Sequence, residues 1–190
     1  MRVRTLSLLK KNIVVWLILG IIYFFMECVE RWYGHSLVGL YIGDLTNYSD
    51  QIVQPYINSK QTFTSLTGWS SFWMVLVGGL CGVGIAAVAK AWWTDKWPII
   101  LKSAFGVVFI VWPLEFLSGL ILNIQFGLGI WDYGNKFPAI MGQITLAYFP
   151  VFLAVAILAI WIDEAVRHWI LEEPKPEKFS AYLKKVITFK

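Results

Sequence analysis

The chain has 190 residues, 58% of them hydrophobic and 15% charged, with eleven tryptophans and a net charge of +4. A soluble domain carries about 45–50% apolar and about 25% charged residues, so the composition excludes an ordinary soluble domain and places the chain among membrane proteins. The basic excess lies between and beyond the apolar runs, so it reads as membrane topology and not as a nucleic-acid surface.

The N-terminus is basic and then apolar, as in a signal peptide. Its apolar run is too long and lacks a small-residue cleavage pattern, so it is expected to stay as an inserted anchor. Four runs reach the roughly 20 residues that a bilayer core requires: about 12–33, 69–93, 98–124 and 143–170. They are continuous rather than alternating, so they predict helices and exclude the strands of a barrel. Trp and Tyr gather at their ends, where aromatic belts sit.

With the N-terminus placed in the cytoplasm, thirteen of the Lys and Arg residues fall on the inner side and three on the outer side. That bias predicts two cytoplasmic termini. The expected location is a bacterial plasma membrane.

The connection 34–68 is too long for a turn, and Leu37, Leu40, Tyr41, Leu45, Tyr48 and Ile52 recur at helical spacing. It predicts an outer interfacial helix, either a cover for the bundle or a lid over a cavity. In the second span Gly78, Gly82 and Ala86 stand four apart. Such spacing lets helices approach closely, for packing within the fold or for a homodimer. Cys28 and Cys81 lie in apolar runs without metal-ligand spacing and read as small core residues. Beyond Pro174 and Pro176, Phe179, Tyr182, Leu183 and Val186 share a helical face beside four lysines. This is a basic amphipathic tail, 171–190, suited to an anionic inner leaflet.

The candidate site begins with Glu115, about 17 residues into the third span, or roughly 25 Å at helical rise. An ionisable group there marks a functional site by default. Glu27 near the end of the first span and the Trp131-Asp132-Tyr133 loop fall at similar depth on the same side. Two carboxylates sharing a low-dielectric site suit proton handling or cation binding. Glu27 could instead pair with Arg31, four residues on. Pro113 and Pro150 should each free a carbonyl and kink their spans. Asp163–Arg167 and Glu164–His168 are i,i+4 pairs expected to be solvated.

Other chemistries lack their residues. There is no phosphate-binding Gly-x-x-x-x-Gly-Lys-Ser/Thr loop and no Gly-x-Ser-x-Gly elbow, and the two histidines, His35 and His168, fall on opposite sides. No metal and no cofactor is expected.

The order of a Glu ending the first span, then Leu114-Glu115-Phe116-Leu117-Ser118-Gly119, Trp131-Asp132-Tyr133-Gly134-Asn135 and Gly142-Gln143-Ile144, resembles the putative ABC-transporter type IV membrane family. The acidic pair Asp163-Glu164 before Arg167 fits the same resemblance. It covers 114–167 well and the first span loosely. The resemblance is that of a divergent relative, with Gly134 where the family has Ser and Phe137-Pro138-Ala139 in place of a Pro-Phe-Asn-like stretch. The resemblance implies membrane transport.

The expected fold is an all-α integral membrane protein, a bundle of about four transmembrane helices with an outer interfacial helix. The leading functional expectation is a permease-like protein binding a small polar or cationic solute, or a lipid headgroup, in its outer half. Glu115 is the central carboxylate, Glu27 the second acid, Asp132 the acid at the mouth, and Trp131 and Tyr133 the aromatic wall, with Ser118 nearby and Gly119 in helix packing. Its partners would be the lipid bilayer and a separate ATPase or other membrane subunit. Two alternatives stay open. One is an enzyme using Glu115 or Asp132 as acid/base on a lipid or isoprenoid. The other is an accessory subunit packed through its small residues.

Overall fold

A computed structural model describes residues 9–27, 71–134 and 136–189 of the chain. The outer interfacial helix expected in 34–68, Cys28, Arg31 and His35 lie outside the described residues. The architecture is helical. We label the helices α1 (Leu9–Glu27), α2 (Trp73–Ala89), α3 (Ile99–Gln125), α4 (Leu146–Leu171) and α5 (Phe179–Ile187).

Helices α1, α3 and α4 have 19, 27 and 26 residues and are apolar enough to cross a membrane, and the apolar α2 has 17. At 1.5 Å per residue α2 is about 25 Å long, near the lower limit for a span. The chain is therefore a multi-pass membrane protein. Its outer surface agrees, since Phe25, Leu101, Phe109, Leu117 and Ile121 are all exposed. In lipid such side chains cost nothing, and helix association rests on close packing instead.

Close packing comes from glycine. The Tyr23 ring of α1 lies over Gly78, Trp16 over Gly79 and Leu19 beside Gly82, while Gly84 faces Ile110 of α3. Thus α2 is the central helix, with α1 on one side and α3 on another. Ala86 is buried on the same helix. The main core joins Val77, Cys81 and Ile85 of α2 to Val107 and Val111 of α3 and to Phe152, Ala156 and Ile160 of α4.

Short connections hold the helices in register. Lys90 caps α2, and the Thr94 hydroxyl donates to the carbonyls of Val88 and Ala91, both at 2.8 Å. This supplies the partners that a helix C-terminus lacks. Pro98 then stands as the N-cap of α3, outside the helix, where a missing N–H is harmless.

Helix α3 is not uniform. It widens into π-helical turns at Val107–Val111 and Leu120–Gln125, on either side of an α-helical segment Trp112–Gly119. The Trp112 amide reaches back to the Val107 carbonyl. The predicted disturbance at Pro113 thus takes the form of a wide turn just before it. Pro150 behaves differently from expectation. Helix α4 opens with a 3-10 turn, Leu146–Tyr148, and its α-helical part starts at Phe149, so Pro150 sits in the first turn and kinks nothing.

Between α3 and α4 a two-stranded antiparallel hairpin pairs β1 (Ala139–Ile140) with β2 (Ile144–Thr145). Its turn has positive φ at Met141 (51°) and Gly142 (70°), the conformation that hairpin turns favour.

At the lysine-rich end of the bundle the i,i+4 pairs are not simply solvated. Asp163 is fully buried and meets both Arg167 at 2.9 Å and Lys90 at 2.9 Å, and Glu173 lies 3.4 Å from Lys90 and 3.5 Å from Arg167. The His168 ring contacts the Glu173 carbonyl at 2.7 Å. The correction has a simple cause: Lys90 arrives from α2, and i,i+4 spacing on one helix carries no information about a partner on another.

The tail also packs rather than lying apart. The Tyr182 hydroxyl donates to the Ile157 carbonyl at 2.7 Å, the Trp161 indole donates to the Glu177 carbonyl at 3.0 Å, and Phe179 meets Trp161 edge to face. Tyr182 and Val186 join the main core, while Lys178, Lys184 and Lys185 stay exposed.

A candidate ligand site between the helices

Glu115 lies between the two π-helical turns of α3, and irregular turns of this kind are frequent at functional sites. It is 3% exposed, and its Oε2 atom has no hydrogen-bond partner among the described residues. It lines a cleft bounded by α1, α2, α3 and α4. The cavity volume of this cleft is about 50 Å³. Among the described residues that line it, the side chains with a polar atom besides Glu115 are Tyr23, Cys81 and Met26, through its thioether.

None of the other predicted ligand residues lines the cleft: Glu27 ends α1, Ser118 lies on α3, and Trp131, Asp132 and Tyr133 belong to the loop after α3. Glu27 and Tyr133 are both within electrostatic reach of Glu115. Tyr133 packs against Tyr148, with ring centroids 5.1 Å apart. Burial holds the Tyr133 phenol well above the ordinary range, and the neighbouring Glu115 acts in the same direction. The Ser118 hydroxyl donates back to the Leu114 carbonyl at 2.6 Å, one helical turn behind it.

Trp131 and Asp132 build the loop. The Trp131 indole donates to the Gln143 carbonyl at 3.0 Å. Asp132 is exposed, and its Oδ1 accepts from the Gly134 amide at 2.7 Å, which closes a local turn. A side chain at Gly142 would strike this carboxylate. A side chain at Gly119 would strike Gln143, so Gly119 lets the loop settle on α3.

The organiser of this loop is Asn123, which the sequence reading did not single out. Its amide donates to the Trp131 carbonyl at 3.0 Å and to Gln143 Oε1 at 2.8 Å, and its Oδ1 accepts from the Ile130 amide at 2.7 Å. An amide within an apolar span was a usable signal, because such groups hydrogen-bond across helices.

Among the described residues no group of three or more His, Cys, Asp or Glu side chains could hold a metal ion. The arrangement can do one kind of chemistry well: it can accept a hydrogen bond or a positive charge at Glu115, away from water.

No curated protein and no solved structure matches the chain. Residues 70–189 match the family described as putative ABC-transporter type IV. This match takes in α2 to α5, Glu115, Asn123 and the Trp131-Asp132-Tyr133 loop, and the chain belongs to that family.

Proposed function

We propose that the chain is a permease-type membrane subunit that binds a cationic or hydrogen-bond-donating group at Glu115. That group belongs to a small solute or to a lipid headgroup. The observation that carries this reading is the buried Oε2 of Glu115, without a partner among the described residues, in a mostly apolar cleft. An unsatisfied buried polar group costs about 1–3 kcal/mol, and more for a charged one. With no internal partner among the described residues, an external one is the expected partner of this carboxyl.

Glu27 and Tyr133 act on Glu115 electrostatically in this reading, from outside the lining of the cleft. Trp131 and Asp132 act one step away, by shaping the loop that holds Tyr133. The lysine-rich end faces the cytoplasm, following the distribution of Lys and Arg. The sequence has no phosphate-binding loop of its own, so a separate ATPase subunit powers any ATP-driven step.

Native mass spectrometry of the detergent-purified protein tests this reading, with wild type beside Glu115→Gln. A discrete adduct on wild type that is absent from the variant supports a ligand at Glu115. Bare and identical spectra from two folded proteins would reduce Glu115 to a packing residue.

A further inference from the structure

The cleft beside Glu115 has a shape as well as an acid. It is lined by Leu19 and Met26 of α1, Gly82 of α2, Val111 of α3, and Phe152 and Ala159 of α4. Its lining runs over Phe152 to Ile162 on α4 and Val77 to Ile85 on α2, which is about 15 Å and about 12 Å at helical rise. Half of a hydrocarbon core of about 30 Å is one leaflet, so the cleft is as long as one leaflet is deep. At the lysine-rich end Arg167 Nη1 donates to Asn12 Oδ1 at 3.3 Å and ties α4 to α1.

A polar solute fits these walls badly. A sugar, an amino acid or a hydrated ion brings several polar groups, and each one buried without a partner costs about 2–7 kcal/mol depending on the reference state. One carboxyl, one phenol and one thiol cannot satisfy them. A molecule with a single compact donor head and an aliphatic remainder leaves no polar group stranded. The cavity volume, about 50 Å³, is room for only a few waters, which favours a small head and a slender chain.

Resting on the reading of Glu115 as a ligand carboxyl, we infer that the cleft takes a single-chain amphiphile with a primary ammonium head. The ammonium donates to Glu115, and the chain lies along the apolar slot between α1 and α4. Such a ligand reaches its site from the bilayer rather than from water.

The test uses the full chain in phosphatidylcholine nanodiscs. Methylammonium, butylammonium and octylammonium are titrated against wild type, and the Glu115→Gln isotherm is subtracted from each. The expected result is Glu115-dependent binding that tightens with chain length, by about tenfold or more from methyl to octyl. Ala159→Phe, which fills the slot, should weaken octylammonium about tenfold and leave methylammonium within about twofold. Val155 also lines the cleft, so Val155→Trp serves the same purpose if Ala159→Phe fails to fold, and the wild-type chain-length series needs neither variant. Equal Glu115-dependent affinity for all three ammonium ions would overturn the amphiphile and leave the Glu115 reading standing. Binding that is the same in wild type and Glu115→Gln for every chain length would sink both.

Discussion

Lys90 Nζ lies 2.9 Å from Asp163 Oδ2, and the Asp163 side chain is fully buried while that of Lys90 is 40% exposed. The pair joins the end of α2 to α4, and Arg167 grips the other oxygen of the same carboxylate at 2.9 Å. A buried carboxylate held by two cations is costly to break from the anionic side and cheaper to trim from the exposed side. Asp163→Ala should therefore destabilise the protein by about 3 kcal/mol, at the low end for a buried pair because both cations still reach water. Lys90→Met should cost about 1 kcal/mol or less, since Arg167 remains. Thermal unfolding of the two single variants and the double variant checks this. Additive effects would show that the two side chains are not coupled.

Asn123 carries a second prediction. Asn123→Leu leaves the Ile130 amide and Gln143 Oε1 without the partners they hold at 2.7 and 2.8 Å. Each stranded buried group costs about 1–3 kcal/mol. Hydrogen exchange should speed up across residues 128–134, with little change in α2. Asn123→Asp keeps the acceptor for Ile130 and should give a smaller effect. Unchanged exchange in Asn123→Leu would show that the loop does not depend on this side chain.

These two groups show where sequence reading stops. The helical class and the apolar spans among the described residues were legible, because long apolar runs with few charges have one solution in lipid. Glu115 was legible for the same reason in reverse, as a charge where charges are expensive. The close approach of α1 to α2 was hinted at by the spacing of Gly78 and Gly82, but the partners, Tyr23 and Leu19, depend on how the helices rotate. Asp163 looked solvated because its local partner is Arg167, while Lys90 lies 73 residues away in the chain. The π-helical turns of α3 were signalled only by Pro113, and the turn at Leu120–Gln125 contains no proline at all.

Tyr182 gives a pH-dependent prediction at the other end of the bundle. Its hydroxyl donates to the Ile157 carbonyl, and burial raises its phenol above the ordinary value of about 10. Docking of α5 thus favours the neutral phenol. The sign follows: the stabilisation is complete below about pH 10 and is lost as pH rises toward the higher value of the docked state. Tyr182→Phe should cost about 1 kcal/mol at neutral pH and remove that alkaline dependence. Tryptic cleavage at Lys184 and Lys185, followed from pH 8 to pH 10.5, reads the docking, with a fluorogenic peptide correcting for the protease's own profile. If wild type and Tyr182→Phe share one corrected profile, the phenol does not control the docked tail.

Glu115 offers the sharpest separation of function from packing. Its Oε2 has no partner among the described residues, so in the ligand-free protein the side chain is a net burden of about 1–3 kcal/mol. Glu115→Met is close in volume and removes both carboxyl oxygens. It should raise the ligand-free stability by about 1 kcal/mol or more, as substitutions at strained functional positions often do. Ligand should then stabilise wild type in proportion to its concentration over Kd and leave Glu115→Met unmoved. Unfolding curves of both proteins, with and without octylammonium, decide the matter. A carboxyl that merely fixed helix packing would show the opposite order, with Glu115→Met less stable than wild type in the absence of any ligand.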